Sequence, residues 1–489
     1  MSQSRRRGKD QTDTAVLPLR PAVDTLVLDP HDPLAVARRL IADHYSVGGY
    51  PLLRSWRGDL YAYTGTHYRV LDEASARAEQ YRFMEPAVRT TKKGLAPFKP
   101  TATVVNNVMD ALRGATHLDR DVVAPAWLDL RLGPPAAELI ACDNGLLHFP
   151  TRVLRDHAPE FFTTYALPFA FDANAPEPVE WLTFLHSLWP DDEDAIRTLQ
   201  EVFGYIVSGD MRQQKLFLIV GPPRAGKDTI ARILRSLIGD ANWAGPTLSS
   251  LAGPFGLQPL IGKPLAIIGD ARMSTRVDQT IIGERLLSIT GQSAQGVDRK
   301  HRDTWNGVLP TRFLILTNEL PRLEDASGAL ASRFIVLTLS RSWLGREDTE
   351  LFSRLEGELS GILSWALDGL ERLWDRGRFS TPRSSHSAIR EMEDLGSPIK
   401  AFVRDCCIVE PGASEETDDL YGAWAQWCRA HGRSHVPAEA VFGRDLRAAT
   451  LGVQRKQRET SENGARVRWA VYDGIRLTER PKSSWRDND

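Results

Sequence analysis

From Pro33 the chain settles into regular alternations of apolar and polar positions. "PLAVARRLIADHY" spaces its apolar residues at the helical period, and "PLLRSWRGDLYAYTGTHYRVLD" alternates around Gly-containing turns as a hairpin does. In "ELIACDNGLLHF", Asn144-Gly145 lies between two apolar runs, a strong hairpin signal. A small α+β domain is therefore expected first. "PVEWLTFLHSLWPDDEDAIRTLQEVFGYIVSG" is helical again and leads into "KLFLIV" at 215–220. That run, "PLAIIGD" (264–270), "RFLILTN" (312–318) and "RFIVLTL" (333–339) read as strands separated by helical stretches, which predicts a parallel sheet covered on both faces.

Beyond the last strand, "LFSRLEGELSGILSWALDGLERLWDRG" sets Leu355, Leu359, Ile362, Leu363, Leu367 and Leu370 on one helical stripe. "RFSTPRSSHSAIREMEDLGSP" reads as a linker that is partly helical. Two helical segments, around Thr417–Ala430 and Pro437–Thr450, then precede the strand-like "VQRKQRE" and "ARVRWAVYDG", with Asn463-Gly464 in the turn between them. That order suits a winged helix. No fixed-period repeat is present. The expected division is a tail over 1–32, an α+β domain over 33–205, an α/β domain over 206–380, a linker over 381–395, a winged-helix-like domain over 396–480 and a tail over 481–489.

Composition narrows the class. A chain of 489 residues, 42% apolar, buries several cores, and 61 Lys and Arg against 63 Asp and Glu leave a net charge of -2. Affinity for nucleic acid must then come from local patches. Cys142, Cys406, Cys407 and Cys428 show no metal spacing and no disulfide density, so they read as reduced core thiols. No apolar run approaches a membrane span, and the basic start "MSQSRRRGKDQTD" has no apolar segment behind it. The expected setting is the cytoplasm, with no membrane partner.

"LFLIVGPPRAGKDTIARIL" carries the clearest chemistry. A buried strand delivers a Gly-rich turn, Gly221, Pro222, Pro223, Arg224, Ala225 and Gly226, and then Lys227, Asp228 and Thr229 open an amphipathic helix. Backbone N–H groups and the helix N-terminus would cradle phosphates, and Lys227 would meet the β- and γ-phosphates of ATP. Asp228 departs from the pattern, which places a Ser or Thr hydroxyl on Mg²⁺ at that position. Thr229 offers a hydroxyl one residue later, also the ending of adenylate-kinase-type loops. Asp270 closes a strand where an acid would hold Mg²⁺, Asn318 closes another where a polar group would orient water, and Arg333 opens the last strand where a guanidinium would reach a γ-phosphate on a neighbouring subunit.

Together "GPPRAGKDT", "LAIIGD", "SITGQSAQGVDRKHRDTWNG", "LPTRFLILTNELPRL" and "ALASRFIVLTL" resemble the motifs of superfamily 3 helicases, most of all the phage and plasmid primase-helicase family, to which the poxvirus primase-helicase is similar. The resemblance implies an α/β fold with a P-loop AAA+-like core, an N-terminal α+β domain and a C-terminal winged helix. It implies ATP and Mg²⁺ as cofactors, held in part by Thr229 and Asp270, and an ATP-dependent DNA helicase working as a homo-hexameric ring in phage, plasmid or prophage replication, in a bacterial host. Lys227, Asp270, Asn318 and Arg333 match its catalytic positions. Ala271 after Asp270 leaves no adjacent acid as general base.

The same resemblance places a DNA-touching hairpin at Arg299, Lys300, His301 and Arg302, with Lys300-His301 similar to the Lys-His pair at the hairpin tip of papillomavirus and polyomavirus helicases. The C-terminal unit is locally basic. Arg455, Lys456, Arg458, Arg466 and Arg468 lie on the expected wing, and Arg444 and Arg447 on the preceding helix, suggesting a duplex contact. Trp424 and Trp427 at helical spacing read as core. Asp119 and Asp121 in "HLDRD" read as a polar loop, and primer synthesis is not expected. Two other readings stay open: a nucleotide kinase, and an ATP-dependent origin-binding or loading protein that does not unwind DNA.

Overall fold

The computed structural model describes residues 25–129, 133–269, 279–321, 329–432, 436–462 and 465–478, with 460–462 and 465–467, Arg466 among them, entering through their backbone alone. Two compact units form. One holds the chain up to Ala126 together with Pro159–Thr164, and the other holds Trp127–Ala158 and the chain from Tyr165 onward.

In the first unit, α1 (Pro33–His44) starts at Asp32, whose carboxylate accepts from the Ala35 N–H. It packs Val36, Ala37 and Leu40 into a core shared with α2 (Glu73–Met84) and α3 (Ala102–Ala115). The expected hairpin is a three-stranded meander, β1 (Leu53–Trp56), β2 (Asp59–Tyr63) and β3 (Tyr68–Leu71), with Trp56 opposite Asp59 and Tyr63 opposite Tyr68. Asp119 and Asp121 sit in an exposed turn closed by the Asp121 N–H on the Asp119 carboxylate.

The second unit opens with the hairpin β4 (Leu139–Cys142) and β5 (Gly145–His148), where Cys142 pairs with Gly145. Its turn is Asp143-Asn144, one residue earlier than expected. The Asn144 amide is engaged elsewhere: it accepts from the Phe171 N–H at 2.9 Å and donates to the Phe171 carbonyl at 3.0 Å, imitating a strand. Two helices follow, α4 (Val179–Leu188) and α5 (Glu193–Ser208), so a boundary at 205 falls inside α5.

The sheet that positions the site has five parallel strands: β6 (Leu216–Val220), β7 (Trp243–Ala244), β8 (Leu265–Ile268), β11 (Arg312–Thr317) and β12 (Phe334–Thr338). Their spatial order is β7-β8-β11-β6-β12. Near-continuous apolar runs suit them to burial on both faces, and every residue of β11 is buried. Between these strands lie α6 (Lys227–Ile238), α7 (Gln279–Thr290) and an antiparallel hairpin, β9 (Gln295–Arg299) with β10 (Arg302–Gly307).

After the sheet, α8 (Leu359–Arg376) packs along α5. Glu201, fully buried on α5, ties the two helices by accepting from Arg372 at 3.0 Å, Arg376 at 2.8 Å and the Ser380 N–H at 2.6 Å. The segment read as a linker is largely α9 (Arg383–Gly396), which buries Ala388 and Met392 against the sheet. Its Ser385 hydroxyl accepts from the Val336 N–H, so α9 shields the edge strand β12. Sparse apolar residues at helical spacing made it look like a connector.

The remaining chain runs α10 (Pro398–Cys406), β13 (Cys407–Glu416), α11 (Thr417–Ala430), α12 (Glu439–Ala449), β14 (Gln454–Glu462) and β15 (Ala465–Leu477), with β15 central in the sheet. Glu462 pairs with Ala465; the turn expected at Asn463-Gly464 lies outside the described residues. Trp424 and Trp427 are buried and stacked in the core of this region, as their spacing predicts. Cys142 and Cys428 are buried, Cys406 and Cys407 half-buried, and none of the four is in a disulfide. Among the described residues no helix is long and apolar enough to cross a membrane.

Candidate functional site

Chain order across the parallel sheet is second, third, fourth, first, fifth. The connection leaving β6 travels past β11 and β8 to reach β7, whereas the one leaving β11 passes over β6 to β12. Adjacent strands whose connections depart in opposite directions open a crevice at their C-terminal ends. The Gly-rich loop leaves β6 there, and Asn318 follows β11 at the same end.

The loop is shaped by its glycines. Gly226, with φ 93° and ψ 0°, precedes α6 in the left-handed region, and Arg224 has φ 58°. Such alternation turns successive N–H groups toward one point, and a helix N-terminus behind them adds positive potential, so the concavity suits a tetrahedral oxyanion. Gly221 is clamped: its N–H donates to the Thr317 carbonyl at 3.2 Å, and a Cβ there would lie 2.6 Å from the Leu339 carbonyl oxygen.

Lys227 is 7% exposed. Its ammonium donates to the carbonyls of Gly221 (2.6 Å) and Pro222 (2.7 Å) and to Asn318 Oδ1 (2.9 Å). The sheet has thus brought together two residues 91 positions apart in the chain. Asp228 and Thr229 follow in the first helical turn, Asp228 exposed and Thr229 half-buried. A cavity of about 580 Å³ adjoins the loop, lined by Lys227, Asp228, Thr229, Arg224, Arg232 and Trp343. The Trp343 backbone N–H donates to the Arg224 carbonyl at 3.0 Å, and Arg232 lies over the Phe352 ring. Asp270 lies outside the described residues.

Arg333 is not at this crevice. It precedes β12, beside Lys215 at the opposite end of the sheet, where its guanidinium donates to the Thr290 hydroxyl at 3.2 Å. Burial chiefly, and then the Arg333 charge, hold the Lys215 ammonium below its usual pKa.

The stretch 299–302 forms a tight β-hairpin tip. Arg299 pairs with Arg302, leaving Lys300-His301 as the exposed turn, with His301 at φ 60°. Val297 and Trp305, paired and buried, anchor its base. The Lys300 N–H reaches Gln258 Oε1 at 3.2 Å, so the tip neighbours the loop that carries Phe255, 47% exposed. Sequence reasoning did not single out Phe255, which lies in "GPFG".

The C-terminal cations are less free than composition suggests. Lys456 (2.9 Å) and Arg458 (3.1 Å) both pair with Asp473, and hydrogen bonds from them, Lys456 first, hold its carboxyl below the usual range. Arg468 pairs with Glu459 at 3.0 Å and Arg444 with Asp445 at 2.9 Å, while Arg447 donates to the Gly443 carbonyl. Arg455 is exposed.

With this geometry in place, the comparisons fall into register with it. Residues 56–190 match the family described as D5 N terminal like. Residues 219–333 match a family of unknown function, DUF5906, over a span that begins in β6 and ends at Arg333. Solved structures of the NrS-1 C terminal region share the fold. One apo structure aligns with TM-score 0.52 at 11% identity, covering 90% of this chain and 98% of that one. An A form apo structure aligns with TM-score 0.50 at 11% identity, covering 91% and 100%. The first match covers about a quarter of the chain, and the solved structures show a shared fold.

Proposed function

We propose that this chain is an ATP-dependent DNA helicase of the superfamily 3 kind, serving phage, plasmid or prophage replication and working as a ring on single-stranded DNA. The observation that carries the reading is the meeting of Lys227 and Asn318 at the switch point of the sheet. With a nucleotide in the loop, the Lys227 ammonium would exchange its loop carbonyls for phosphate oxygens, and Asn318, released from it, would orient water. Bound with the nucleotide, Mg²⁺ would supply charge neutralisation. Among the described residues no group of three or more His, Cys, Asp or Glu side chains is placed to hold a metal. That suits Mg²⁺, which prefers one or two carboxylates plus phosphate oxygens and water; Thr229 and Asp270 would serve it.

Arg333, at the far end of the sheet from its own loop, serves the nucleotide of a neighbouring subunit, which favours a homo-hexamer or other ring. The Lys300-His301 tip, flanked by Arg299 and Arg302, contacts backbone phosphates, and Phe255 beside it stacks a base. The helix-strand-helix-helix-strand-strand order of α10 to β15 supports a winged helix, with α12 and the β14–β15 hairpin facing duplex DNA. One observation favours a second reading, an ATP-dependent loader without unwinding: Asp228 replaces the expected hydroxyl. ATP-driven strand displacement on a forked DNA tests the choice. Wild type should displace the strand, and Lys300→Ala should lose displacement while keeping ATP affinity. No displacement by wild type would refute the helicase reading.

A further inference from the structure

Asp228 is the charged group at the loop that the preceding reading leaves without a task. It occupies the second position of α6, is exposed, and faces the same cavity as Lys227. Among the described residues its carboxylate has no hydrogen-bond or ion-pair partner. The cations around it are engaged: Arg224 approaches Glu347 at 3.5 Å, Arg232 lies 3.6 Å from the Phe352 ring centroid, and Lys227 is held by three oxygens.

A carboxylate in a first helical turn is favourable in the empty protein, because it meets the positive end of the helix dipole. The same helix end is the one offered to phosphate, so an incoming triphosphate meets like charge beside it. A neutral Ser or Thr at this position imposes no such repulsion. Bringing a divalent cation between the two anions reverses the sign, since a bound cation is the largest local charge in such a site.

We propose that Asp228 makes nucleotide binding conditional on a divalent cation, with its carboxylate joining the phosphate oxygens around Mg²⁺. The proposal rests on the loop being an ATP site and adds the property that distinguishes this loop from a Ser- or Thr-bearing one. Mg²⁺ held by one or two side chains keeps phosphate oxygens and waters as its other ligands, so in this proposal the cation arrives with the nucleotide. Nucleotide without metal is disfavoured.

The test is the affinity of the full chain for a ribose-labelled fluorescent ATP, measured in Mg²⁺ and in EDTA, for wild type, Asp228→Asn and Asp228→Ser. In EDTA both variants should bind at least tenfold tighter than wild type, a difference of about 1.4 kcal/mol. In Mg²⁺ wild type should bind at least as tightly as Asp228→Asn. Equal Mg²⁺-to-EDTA ratios in all three proteins would overturn the proposal, as would variants that bind tighter under both conditions. Lys227→Ala separates the two levels: full affinity in that variant, or no binding by wild type in either condition, would overturn the ATP-site reading itself and this proposal with it.

Discussion

Gly221→Ala probes whether the loop geometry is as tightly determined as its contacts indicate. The new methyl would sit 2.6 Å from the Leu339 carbonyl oxygen and 2.7 Å from Leu339 Cβ. Carbon atoms are at ease from about 3.5 Å, so the two backbones must part by roughly 0.8 Å. Little can yield, because Leu339 is buried and its N–H donates to the Val220 carbonyl at 2.8 Å, while the Gly221 N–H is bound to Thr317 on the other side. Overpacking of this kind costs about 1–3 kcal/mol. Displacing the Gly221 carbonyl also disturbs an acceptor of Lys227. Misplacing one charge-assisted bond to phosphate is worth about 1.5–3 kcal/mol, roughly 10- to 150-fold in ATP affinity. Calorimetry should show a melting transition lowered by several degrees, and titration with labelled ATP a matching loss of affinity. Gly114→Ala, on a helix with open space around the glycine, is the control and should lose neither. Wild-type melting and wild-type affinity in Gly221→Ala would refute the reasoning.

Lys227→Ala should lower ATP affinity at least about tenfold while retaining the fold, since the ammonium is replaced at a cavity edge where water can reach the freed acceptors; circular dichroism and labelled-ATP titration check both halves. Arg333→Ala should bind ATP normally and lose hydrolysis, and mixing it with wild type should depress activity more than in proportion; strictly proportional activity would contradict service across a subunit boundary. Burial chiefly pushes the Cys142 and Cys407 thiols up to about 12, so all but traces remain protonated at neutral pH and maleimide labelling should be slow, rising only in strong alkali. The sign for stability follows: the folded state keeps protons that the unfolded chain releases near the ordinary value of 9.0, so stability is full below that pH and falls as pH climbs towards about 12.

Each long strand of the parallel sheet was legible because it holds an unbroken apolar run, as in Leu216–Val220 and, within Arg312–Thr317, Phe313 to Leu316. The two-residue strand at Trp243 was not, since two residues carry no periodicity. Likewise α9 is polar in composition, and its role appears when Ser385 meets the edge of β12. At the site, Lys227 was readable from local spacing, whereas its contact with Asn318 depends on strand order, which local sequence does not encode. The tip at Lys300-His301 was found through resemblance, and Phe255 escaped because an exposed aromatic ring in a glycine-flanked turn has no pattern of its own. The wing cations were counted correctly as charges; their pairing with Asp473 and Glu459 comes from cross-strand neighbours.

The most direct test of the central claim is ATP hydrolysis by the purified chain with and without single-stranded DNA, alongside its mass in solution with Mg²⁺-ATP. A ring-forming motor predicts a multi-subunit mass and turnover raised by DNA. ATP binding and assembly with turnover indifferent to DNA would contradict the motor and leave the loader in its place.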